Sequence, residues 1–134
     1  MSLFNFLKPK KQKTLPKDPS QTAQALHNIM NSMCESGCDT DEMPQGQGEF
    51  GLSVTNPIPT HTPIGSNSYL DRLHTSDGDR VAYDRMGSTF APISVHPIDQ
   101  YLITNSSGEQ IATLYISPYH KRNSNKAPKG FTLL

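Results

Sequence analysis

The sequence predicts a small α+β fold: an antiparallel β-meander of four to five strands, preceded by one N-terminal helix and a Pro/Gly-rich connector. Three observations carry that prediction. Ile98–Thr104 and Glu109–Ser117 are rich in β-branched and aromatic residues and flank the turn cluster Asn105-Ser-Ser-Gly108, a hairpin signal. Ala25, Ile29 and Met33 recur four apart, with Leu26 and Met30 beside them, which is helical spacing. Between these regions, Gly46, Gly48, Gly51, Pro57, Pro59 and Pro63 exclude a long helix.

Taken in order, residues 1–17 are expected to form a flexible basic segment. Leu3, Phe4, Phe6 and Leu7 suit one amphipathic turn, and Lys8–Lys17, with its two prolines, suits an extended linker. The helical segment is placed over 18–38, with Asp18 as N-cap, Pro19 at the first helical position and Gly37 as the stop. Residues 39–63 are expected to run as an extended linker, because a residue before proline is pushed out of the helical region, with Ile58 and Ile64 tucking against the domain that follows.

Residues 64–134 are expected to form the compact β-rich domain, closed by a basic C-terminal loop. Ser68 caps a turn holding Tyr69, Leu70 and Leu73, or these residues open a strand. Asp77-Gly78 supplies a tight turn. Arg80–Met86 alternates like a half-buried strand, with Val81 and Tyr83 on one side, and Gly87 marks a bulge or strand end. Ile111–Ile116 carries no charge and reads as a central strand. Gly130–Leu134 offers a fifth short strand. A region of about 70 residues has a marginal core, so the helix is expected to pack on the sheet, or the protein to form a homodimer.

The net charge of zero hides a pattern. Lys8, Lys10, Lys11, Lys13 and Lys17 form one basic block, and Lys121, Arg122, Lys126 and Lys129 a second, neither containing an acid. All twelve carboxylates lie between Asp18 and Glu109 with only Arg72, Arg80 and Arg85, so the ends carry +9 and the middle −9. The blocks either fold back onto the acidic middle or contact phosphates and anionic lipid.

No catalytic signature is present. No serine sits in a Gly-x-Ser-x-Gly elbow, and the five histidines are scattered. Cys34 and Cys38 are four apart, one pair where a structural zinc site needs two, so no metal and no cofactor is expected. Two cysteines and no secretory pattern make the cytoplasm the expected compartment.

The expected function is therefore non-enzymatic: a binding or adaptor module that contacts a protein partner through a sheet face or edge. Tyr83, Tyr101, Tyr115 and Tyr119 are the candidate contacts, because tyrosine is enriched at interfaces; the competing expectation is that they fill the core. The alternative is anion binding, to nucleic acid or an anionic lipid surface, through the basic ends, with His120, Lys121 and Arg122 as the phosphate contacts. A third expectation, a small enzyme built on His120 with a Tyr or carboxylate, ranks below both.

Overall fold

The computed structural model describes residues 19–134. The expected amphipathic turn, basic linker and Asp18 cap lie outside the described residues. Helix α1 (Pro19–Met33) is followed by a long irregular segment, then β1 (Ile58–Pro59), α2 (Thr62–Asp71), β2 (Leu73–Thr75), β3 (Ala82–Thr89), β4 (Ile98–Thr104), β5 (Gln110–Ser117) and β6 (Phe131–Leu133). The main sheet has the order β1-β5-β4-β3, and β2 and β6 form a separate antiparallel pair. The fold is α+β, as the sequence predicts.

The meander is β3-β4-β5. Its hairpin turn closes where expected, with Asn105 Oδ1 accepting from the amides of Ser107 and Glu109 and Gly108 at φ 83°. Alternation sends Tyr101, Ile103, Leu114 and Ile116 to one face, where Tyr101 stands opposite Leu114 and Ile103 opposite Ala112. Phe50, Ile58, Tyr69, Leu70 and Leu73 complete the buried cluster, with Val81, Tyr83, Phe131 and Leu133 packed at its margin. In β3 the register shifts between Arg85 and Gly87, and Gly87 has φ 136°, so the expected bulge is present. β3 is an edge strand, and a bulge with the exposed Arg85 beside it blunts such an edge.

Three features differ from the sequence expectation. First, residues 39–63 are no detached linker. Phe50 is buried in the core, Ile58 is buried as expected whereas Ile64 is 66% exposed, and β1 pairs in parallel with the end of β5, Ile58 opposite Ile116. Prolines 57 and 59 are tolerated because this strand is two residues long and lies at the sheet edge. Second, Thr62-Pro-Ile64 opens α2 instead of running extended. Thr62 takes φ 66°, which turns the chain sharply out of β1 and leaves Pro63 in the first helical turn. Third, α1 forms but does not pack on the sheet: none of its residues is buried. Its C-terminal end is tied down, where Asn31 Oδ1 lies 3.0 Å from His61 Nε2 and Cys34 is buried.

β6 is the expected last strand, but it joins β2, not the meander. No helix among the described residues is long and apolar enough to cross a membrane.

Candidate functional site

The densest group of chemically active side chains collects around Ser117, the last residue of β5. Leu114 and Ile116 face the core, so Tyr115 and Ser117 face the other way. Pro118 ends the strand, and the chain turns so that His120 Nε2 comes to 2.9 Å from Ser117 Oγ. From the loop after α1, the Cys38 amide reaches the other ring nitrogen, Nδ1, at 2.9 Å.

This second bond fixes the tautomer. An amide N–H only donates, so Nδ1 holds the lone pair and Nε2 holds the hydrogen, which it gives to Ser117 Oγ. A serine nucleophile needs the reverse, a histidine lone pair facing its hydroxyl. Both residues are also buried, Ser117 completely. Burial, with a lesser push from His96, lowers the His120 pKa to about 4, so the ring is neutral at physiological pH. Ser117 and His120 therefore work as a latch between β5 and the Cys38 segment, and not as a nucleophile and its base.

Gly37 makes the latch sterically possible. A Cβ at this position would fall on the Tyr119 carbonyl oxygen and the His120 Cα, both backbone atoms that cannot swing aside. Gly37→Ala is thus expected to cost about 2–4 kcal/mol through overpacking and loss of the Cys38–His120 bond. Urea midpoints of the variant check this. An unchanged midpoint would contradict the close approach.

The thiols have unequal surroundings. Cys34 is buried, its Sγ 3.5 Å from the Pro118 carbonyl, and burial pushes its pKa up, which suppresses the reactive thiolate. Among the described residues no group of three or more His, Cys, Asp or Glu side chains is placed to hold a metal ion.

Beside the latch lies an open cleft of about 370 Å³. Cys38, Met43 and Pro44 form one wall, Ile93 to His96 the other, with Ser117, Tyr119 and His120 also lining it. The His96 and Tyr119 rings stack at 4.3 Å. A second hollow of about 420 Å³ shares Ile93 with the first and is otherwise lined by Gln45, Gln47, Thr55 and Pro92.

The candidate residues named from sequence separate. Tyr101 is a core residue, 4% exposed, and Tyr83 packs edge-on against it at 6.2 Å. The Tyr83 hydroxyl donates to Asp71 Oδ1 at 2.7 Å, which pushes its pKa up to about 12. For these two, core filling is the observed role. Tyr115 lies half-buried on the face away from the core, and Tyr119 lines the cleft. His120 is the latch. Lys121 is exposed, with its amide bonded to the Cys38 carbonyl.

Arg122 is already occupied. It donates to Asp39 and Asp41 at 2.8 Å each, and this pairing holds the Asp41 carboxyl below the usual carboxylate range. Lys126 pairs with Glu42 at 3.0 Å, and Lys129 approaches Glu49 at 3.9 Å. The C-terminal basic block is thus a clasp on the acidic segment 39–49, running in the same order along both chains of charge. Asn123 and Ser124 strengthen it, Asn123 Oδ1 accepting from the His61 amide and Ser124 Oγ donating to the Asp41 carbonyl. The complementary signs and matching order of the two blocks were the signal available in the sequence. Nothing there pointed to His96 or to the Cys38 amide, which chain distance separates from their partners.

The chain matches no family model, no curated protein and no solved structure.

Proposed function

We propose that the chain is a non-enzymatic binding module that holds a protein partner on the uncovered face of its meander and in the adjoining cleft. The observation that supports this reading is the set Leu102, Thr113 and Tyr115. Leu102 stands opposite Thr113 and Gln100 opposite Tyr115, all four directed away from the core by strand alternation. Leu102 and Tyr115 are only half-buried, and Ile111 beside them is 40% exposed. An amphipathic tyrosine next to aliphatic side chains on a rigid sheet is the composition that carries binding energy at interfaces. Towards the end of β5 the same face leads to Ser117 and the His96–Tyr119 stack.

The latch chemistry supports the non-enzymatic class, because the lone pair a catalytic histidine would use is already bonded. The clasp weakens an anion-binding role for Arg122, whose charge is spent within the chain. The cytoplasm is the compartment we assign, on a composition with only two cysteines, both free thiols.

The test is a tagged pull-down from native lysate with and without nuclease, repeated with Tyr115→Ala. A stoichiometric protein that survives nuclease and loses at least about tenfold in affinity with Tyr115→Ala supports the reading, since a tenfold loss is about 1.4 kcal/mol. A partner held equally by Tyr115→Ala, or one lost on nuclease treatment, would overturn it.

A further inference from the structure

Helix α1 presents an apolar stripe that its own domain does not use. Leu26 is 55% exposed, Ile29 57% and Met30 37%, and with Met33 they follow i, i+3, i+4, i+7 spacing on one face. The polar face is made of Ser, Thr, Gln, Asn and His. From Pro19 to Cys34 there is no Asp, Glu, Lys or Arg. The helix therefore lacks the ion pairs that usually support an exposed helix. Immediately before it in sequence stand five lysines within residues 8–17, with no acid among them.

We infer that α1 is a membrane-surface element that lies on an anionic lipid bilayer, with the stripe in the acyl boundary, and that the charge of the preceding lysines adds to its attraction. Two physical arguments select this occupant. The first is charge complementarity: a block of +5 adjoining an uncharged amphipathic helix suits a negative surface, to which each lysine adds attraction. The second is area. Three exposed side chains offer on the order of 300 Å², against roughly 800 Å² per partner in a stable protein interface. A parallel pairing of two copies through α1 would in addition bring two lysine blocks together. On a lipid surface the buried apolar area and the charge attraction add, so a small stripe is supported by the lysine block.

The anchoring at Asn31 and Cys34 fits this role. It ties the C-terminal end of α1 to the domain and leaves Leu26, Ile29 and Met30 open. The inference does not depend on the protein-partner reading, since Leu26, Ile29 and Met30 are none of the residues assigned to the partner.

Flotation of the full chain with phosphatidylcholine vesicles, with and without phosphatidylserine, tests it. Binding is expected on the phosphatidylserine vesicles only, falling about 100-fold or more when all five block lysines are changed to Gln. Leu26→Ser combined with Ile29→Ser should fall at least about tenfold; these residues are exposed, so an unchanged thermal melt confirms that the variant is folded. Failure to float, equal flotation on both lipids, or full retention by the double serine variant overturns the proposal. So does a dimer in sedimentation that the double serine variant dissolves, which would assign the stripe to a second copy. Retention on duplex DNA that outcompetes the vesicles would assign the lysines to nucleic acid.

Discussion

A chain cut to residues 64–134 is expected not to fold. This region holds the meander and both strands of the small sheet, yet it lacks Phe50 and Ile58, which are 6% and 0% exposed in the core. Losing one large buried aliphatic side chain costs about 2–5 kcal/mol, and a core of this size supplies roughly 3–5 kcal/mol in total. The cut also leaves the end of β5 without its β1 partner and the Tyr115 amide without the Gly51 carbonyl. By contrast, a chain beginning at Cys34 should melt within about 1–2 kcal/mol of the full protein, because α1 buries nothing and forfeits mainly the Asn31–His61 bond. Urea melts of the three chains decide the matter. A cooperative transition for 64–134 at the full-length midpoint would show that the irregular segment is dispensable.

The second large effect is expected in acid. Well above pH 6.5, His120 is neutral in both the folded and unfolded chain. Below that, the unfolded chain takes up a proton that the native ring refuses until about pH 4. Unfolding then consumes protons, so stability falls as pH drops through this window. The loss approaches about 3 kcal/mol at 1.4 kcal/mol per pH unit. Protonation of Nδ1 also removes the acceptor for the Cys38 amide, so the segment from Gly37 to Pro44 should detach first. The clasp carboxylates do not account for the upper part of this window. Asp41 and Glu42 are held below their ordinary values of 3.8 and 4.5, so what they contribute is lost only from those values downwards, and both pairs are solvent-exposed. His120→Asn keeps an acceptor near Nδ1 but cannot titrate. It should cost about 1–3 kcal/mol at neutral pH and give a flat profile down to about pH 5. Parallel acid loss in wild type and His120→Asn would rule out this residue as the source.

Two sets of side chains carry the two binding proposals. The uncovered sheet face with its cleft is offered to a protein, and the uncharged stripe of α1 to a lipid surface. Neither requires chemistry at Ser117 or His120, whose hydrogen bonds hold the intervening segment in place.

Local signals in the sequence determined the elements. Period-two alternation placed β3, β-branched and aromatic composition placed β4 and β5, Asn105 and Gly108 marked their turn, Gly87 the bulge, and Ala25–Met33 the helix. These are decided by neighbours along the chain, through side-chain direction, turn geometry and backbone sterics. Tertiary structure alone decided three further matters. It put Phe50 in the core and left Ile64 exposed, because an irregular segment has no period that reveals which side faces inward. It left α1 uncovered, because a helical stripe states that a face is apolar without stating what lies opposite. It converted His120 and Arg122 from candidate ligand contacts into a latch and a clasp, since their partners, Cys38, Asp39 and Asp41, are more than 80 residues away in sequence. Hydrogen bonds and ion pairs are short-ranged, so their partners are set by the folded path of the chain, and no spacing in the sequence encodes that path.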